Sequence, residues 1–154
     1  MFNRKMRRGF TLIELLIVIA IVTILVTIAA VKLPKAMMSS RELAALAAVK
    51  AIQQAEVMYL SSYNRYAASL TELGPPQSGT ANTSAGDMIG ADVSNGLKQG
   101  YRFTVTGRAG GYTVLAIPEN YGSSGSKTYY SDESMVVHEH YGPEPATSED
   151  PIVK

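Results

Sequence analysis

The 154-residue sequence contains no cysteine. That excludes a disulfide framework and any thiol chemistry, so the C-terminal segment must be held by hydrogen bonds, packing or neighbouring chains. Glycine is missing from Phe10 to Leu60, where Pro34 is the single helix breaker. Such a stretch reads as one long helix, reaching roughly 75 Å at 1.5 Å per residue. Excess positive charge is lacking as well. The formal charge is +1, but Arg4, Lys5, Arg7 and Arg8 all precede Gly9, which leaves −3 for residues 10–154. A mildly acidic chain without clustered Lys and Arg is poorly equipped to bind phosphate, so nucleic acid is not an expected partner. Length allows one domain.

What is present is concentrated at the start. Residues Arg7 to Val22 read RRGFTLIELLIVIAIV, and the apolar run continues almost unbroken from Leu15 to Val31. About 20 apolar residues span a bilayer, and the basic run ahead of them favours a cytoplasmic N-terminus with the rest of the chain outside. A cleavable secretory signal would end in a small-residue site, and none flanked by turn residues follows the run. A plain membrane anchor fits the length but leaves Glu14 unexplained, because an ionised carboxylate in hydrocarbon costs several kcal/mol unless it is partnered. The third reading is cleavage between Gly9 and Phe10, ahead of the apolar run.

Gly9-Phe10-Thr11-Leu12-Ile13-Glu14 resembles the processing site of type IV pilins and of the pseudopilins of type II secretion. Glycine, phenylalanine, glutamate, upstream charge and downstream apolar run occur together in register. The resemblance implies a membrane peptidase that cuts after Gly9 and N-methylates Phe10. It further implies assembly through Phe10, Thr11 and Glu14, with the Glu14 carboxylate of one subunit facing the Phe10 amine of a neighbour. A buried ion pair adds little net stability and mainly penalises wrong arrangements, so the expected role is register. Many pilins close a C-terminal loop with a disulfide, and this chain departs from that pattern. The family's glycine and proline near Thr23 and Val31 are likewise replaced or displaced here.

Lys32 and Lys35 bracket the exit from the hydrocarbon, and Pro34 removes a helix hydrogen bond, so a kink or a melted turn is expected near residues 30–34. Beyond it, Ala44, Ala48, Ala51 and Ala55 form a stripe suited equally to core packing and to contact between subunits. Leu43, Leu46, Val57 and Leu60 form a broader apolar arc expected to lie under a sheet. Ser69-Leu70-Thr71-Glu72 has the pattern of a capping box, and Gly74-Pro75-Pro76 stops that turn. Residues 74–100 read as a long loop with a helical turn around Asp92 to Lys98. Periodicity then switches to two: Tyr101–Thr106 and Tyr112–Ile117 flank a glycine-containing turn, and Lys127–Ser131 and Met135–Glu139 flank Asp132-Glu133-Ser134.

The remaining candidates for chemistry are few. His138 and His140 share a strand face, but a metal would need two more ligands and an oriented outer shell, so exposed strand-end histidines are the better reading. Asp132 and Glu133 sit in a turn of the kind that holds calcium in some major pseudopilins, although matching oxygen ligands are not evident. The nine tyrosines suit half-buried strands and helix ends.

The expected fold class is α+β: a long N-terminal helix, membrane-spanning in its first half, packed on an antiparallel meander of about four strands, the pilin fold. The expected organisation is a cleaved leader (1–9), a membrane and polymerisation helix (10–35), a head-packing half-helix (36–62), a loop region (63–100), a sheet (101–141) and an irregular, surface-lying tail (142–154). The expected function is a non-enzymatic structural subunit of a type IV pilus-like filament, without cofactor or metal. Its expected partners are copies of itself, the prepilin peptidase and the inner-membrane assembly machinery. It is expected in the inner membrane before assembly and at the cell surface after it. The alternatives are a major pseudopilin of type II secretion and, more distantly, a membrane-tethered enzyme with a metal at His138 and His140.

Overall fold

The computed structural model describes residues 9–154. The basic residues Arg4 to Arg8, on which the cytoplasmic leader was read, lie outside the described residues. The chain divides into two compact units, Met1–Ala36 and Met37–Lys154. One helix, α1 (Leu12–Tyr63), contributes to both. Within the first unit its apolar side chains from Leu12 to Ala30, and Leu33, are exposed. The hydroxyls of Thr23 and Thr27 donate to the Ile19 and Ile24 carbonyls at 2.7 Å each, so neither presents an unsatisfied polar group. This is the helix, among the described residues, that is long and apolar enough to cross a membrane. It runs through Pro34 without interruption, so a melted turn near residues 30–34 is not a feature of the chain by itself. Proline removes one N–H donor there, while the bonds of the neighbouring turns remain.

The second unit is an α+β head. After α1 come the short helices α2 (Leu70–Leu73) and α3 (Ala91–Ser94), then strands β1 (Leu97–Lys98), β2 (Tyr101–Arg108), β3 (Gly111–Pro118), β4 (Lys127–Asp132) and β5 (Val137–Tyr141). They form one antiparallel sheet in the order β1-β2-β3-β4-β5, a simple meander. The sheet has five strands where about four were expected. The extra one, Leu97–Lys98, occupies the end of the segment read as a helical turn, which closes earlier at Ser94. The first hairpin is tighter than its glycine content indicated. Gly107 and Arg108 are paired strand residues, and the turn is Ala109-Gly110, with Gly110 in the left-handed region at φ 79°.

Alternation on the strands buries Tyr101, Phe103 and Val105 on β2, Tyr112, Val114 and Ala116 on β3, Tyr129 on β4 and Val137 on β5. Against them α1 buries Ala45, Ala48, Val49, Ile52, Ala55 and Tyr59, a set that recurs at i, i+3 and i+4 as one helix face requires. This corrects the expected apolar arc: Leu43 is 68% exposed and Val57 45%. The alanine stripe is divided, with Ala48 and Ala55 in the core and Ala51 exposed. Small side chains on this face let the sheet approach the helix backbone. Gln53 is buried among them and donates to Ser131 Oγ on β4 at 2.5 Å, pinning helix to sheet.

Two further local expectations are revised. The Ser69 box does not close: Ser69 makes no side-chain cap bond, and Glu72 accepts instead from the Ala68 N–H at 2.9 Å. The tail is irregular but not simply surface-lying. Val153 N–H donates to Val137 O and Glu139 N–H to Pro151 O, both at 2.9 Å, so the tail pairs with β5 and covers that sheet edge. Ala146 is 2% exposed beneath it.

Candidate functional site

The site lies at the start of α1. Gly9, Phe10 and Thr11 are non-helical and exposed, and Phe10 is 80% exposed. The Gly9–Phe10 peptide bond therefore stands in irregular chain just ahead of a helix. Helix begins at Leu12 because Thr11 acts as its N-cap: Glu14 N–H donates to Thr11 Oγ1 at 3.3 Å, and Thr11 N–H donates to Glu14 Oε2 at 3.5 Å. This reciprocal pair is a capping box, and it gives two helix-end donors acceptors that the helix itself does not supply. A carboxylate in the first turn also sits at the positive end of the helix dipole. Glu14 thus has an intramolecular role that its family resemblance did not supply. The signal was in the sequence, as Thr-x-x-Glu directly before an apolar run.

Pro34 lies on exposed helix, as do Lys32 and Lys35. The residues weighed for metal chemistry are drawn into the fabric of the head. His138 Nδ1 lies 2.6 Å from the Asp150 carbonyl oxygen, and His140 Nδ1 lies 2.9 Å from Asp150 Oδ1. Asp150 Oδ2 also accepts from the Thr147 N–H at 2.7 Å, so Asp150 joins the tail to β5 without a disulfide. His140 holds the Asp150 carboxyl below the usual range, helped by Thr147. Asp132 accepts from Tyr130 Oη and from the Ser134 N–H, while both Glu133 oxygens lie 2.7 Å from Arg108. No group of three or more His, Cys, Asp or Glu that would hold a metal occurs among the described residues.

The segment built around Gly9, Phe10 and Glu14 matches a known one. Residues 4–30 match the family described as the prokaryotic N-terminal methylation motif. That match supports membership of the type IV pilin and pseudopilin family. No curated protein and no solved structure matches it. As a pilin-like precursor, the chain carries a motif that implies processing by prepilin peptidase and assembly into pilus-like filaments, and that points to a structural subunit. Motif and apolar helix together point to membrane insertion.

The pilin-like head supplies what a building block needs, a core independent of the apolar segment. Its tyrosines serve packing: Tyr59, Tyr101, Tyr112 and Tyr129 are buried, and Tyr66 lies against Tyr112 with ring centroids 5.1 Å apart. Sequence reasoning missed one charged group. Glu56 is fully buried on the core face of α1, where it accepts from the Ala67 N–H at 2.8 Å.

Proposed function

We propose that the chain is a structural subunit of a type IV pilus-like surface filament, cut between Gly9 and Phe10 and N-methylated on Phe10. The observation that carries this reading is the junction itself: an exposed, non-helical Gly9–Phe10 bond followed at once by a capped, exposed, membrane-length apolar helix. A peptidase needs extended backbone, and glycine before the cut lets it approach closely. Cleavage turns Phe10 into an amine beside a helix whose described apolar side chains are exposed. Packing of such helices against one another removes that surface from solvent or lipid, and each Glu14 gives a neighbour's amine a partner. The helix then yields near Pro34, where the Ala30 carbonyl lacks its usual donor.

The division of labour is a leader ahead of Phe10, an assembly helix to about residue 35, and a head that carries no catalytic activity and no metal. The engagement of Asp132 and Glu133 by Tyr130, Ser134 and Arg108 supports a pilus subunit over a calcium-holding pseudopilin. The engagement of His138 and His140 by Asp150 likewise supports a structural part over a metalloenzyme. Co-expression with a prepilin peptidase tests the processing step. Wild-type chain is expected to lose the residues up to Gly9, and Gly9→Leu to keep them. Shortening of Gly9→Leu at the same bond contradicts the proposal.

A further inference from the structure

The head contains a carboxyl group that its architecture does not fully satisfy. Glu56 is 0% exposed on the core face of α1. One oxygen, Oε2, accepts from the Ala67 N–H at 2.8 Å, and the other, Oε1, has no partner among the described residues. The neighbouring Tyr112 on β3 is 1% exposed, and its hydroxyl is also without a partner among the described residues. Leaving such groups unpaired is expensive, and most of all for a charge.

Ala67 belongs to the short connection, residues 64–68, that carries the chain from α1 to α2 and lies along β2. Its entry is Asn64 in the left-handed region at φ 55°. It is held by the Glu56 bond, by Gly107 N–H donating to the Ala68 carbonyl at 3.2 Å, and by Tyr66 against Tyr112. Gly107 is required for this approach, since a Cβ there would stand 2.5 Å from the Ala67 carbonyl oxygen.

We propose that Glu56 is a proton-operated clasp, which in its neutral form fastens the 64–68 connection to α1 and on ionisation releases it. Neutral, the carboxyl sits in the core at little expense and still accepts from Ala67. Ionised, it places a charge with one bare oxygen in the core. The charged or titratable groups facing it are the Glu72 carboxylate on α2, Arg65 on the connection and the Tyr112 phenol on β3. Glu72 repels the charge. Arg65 attracts it but is already paired with Glu72 at 2.8 Å. Lifting the connection admits water to Glu56 and relieves the charge. Burial, with Glu72 adding to it and the Ala67 N–H and Arg65 opposing, pushes the carboxyl from 4.5 up to about 7.

The sign follows from that direction. The closed form binds the proton more tightly than the opened form, so closure is strongest below about pH 4.5 and weakens as pH rises to about 7. Beyond that it levels off.

The test is amide hydrogen exchange of the full-length chain in detergent micelles, corrected for intrinsic exchange rates. Protection of the Ala67 amide is expected to fall about tenfold per pH unit between about pH 5 and pH 7. Protection of the Val114 amide in the core should change far less. Glu56→Gln keeps an acceptor for Ala67 and cannot ionise, so its Ala67 protection should be flat with pH. In wild type, the Glu56 carboxyl carbon should titrate near 7 by NMR, a readout that needs no variant. Three results overturn the proposal: pH-independent protection at Ala67 in wild type, a wild-type pH profile in Glu56→Gln, or parallel loss of protection at Ala67 and Val114.

Discussion

Glu14 has one partner among the described residues and another in the proposed filament. In the single chain its carboxylate closes the capping box with Thr11. In the filament the Phe10 amine of a neighbour would draw on the same group, and the helix start would exchange one satisfied arrangement for another. Glu14→Leu removes both. The variant should remain in the membrane more comfortably, because a carboxylate has left the apolar stretch. It should still be cut after Gly9, yet form few or no filaments, since an unpaired buried amine costs about 3–5 kcal/mol. Immunoblotting for the shortened chain, with electron microscopy of the sheared fraction, reads both parts, and normal filament yield would show the pair to be dispensable. Thr11→Ala is the milder probe. It should weaken the helix start by about 0.5–2 kcal/mol, seen as faster amide exchange at Leu12 to Glu14. The motif was legible because several residues had to occur in register. Glu56 was not legible, since nothing about a glutamate between Ala55 and Val57 says which helix face is covered.

At the level of elements, α1 in the head is decided by close approach more than by bulk. Ile52 is 0% exposed at the centre of the face against the sheet, so Ile52→Ala should cost about 2–5 kcal/mol of head stability. Leu43, 68% exposed, should lose no more than about 0.5 kcal/mol on change to alanine. Denaturant unfolding of the two variants checks the ranking, and equal losses would contradict the assigned face. The arc of Leu43, Leu46, Val57 and Leu60 misled because large apolar residues dominate a periodicity reading. The true face is built from alanines that weigh little, with Gln53 and Glu56 interrupting it. Strands were read more securely, since alternation from Tyr101 to Val105 and from Tyr112 to Ala116 is independent of what covers them. Their ends were not, because whether Gly107 belongs to turn or strand depends on its contact with residues 67–68.

At the level of the molecule, the buried core cluster begins at Ala45 and lies wholly inside the unit Met37–Lys154. A fragment of residues 36–154 should therefore fold and remain monomeric, which sedimentation will show; spontaneous filaments from it would contradict helix-driven assembly. The tail is the part of the molecule whose fastening the sequence concealed. Without cysteine, Asp150 gathers His138, His140 and Thr147, and no short-range pattern announces the two histidine contacts. Asp150→Ala should loosen residues 142–154 and hasten their proteolysis while the sheet stays intact, as limited digestion with mass analysis will reveal.

The central claim is that the chain is cut after Gly9 and enters a filament by its apolar helix. Mass spectrometry of the subunit recovered from sheared surface filaments tests it directly. The account predicts a chain that begins at N-methylated Phe10. Filaments whose subunit retains residues ahead of Phe10, or a Phe10 terminus found only on membrane-held chain and never in a filament, would contradict it.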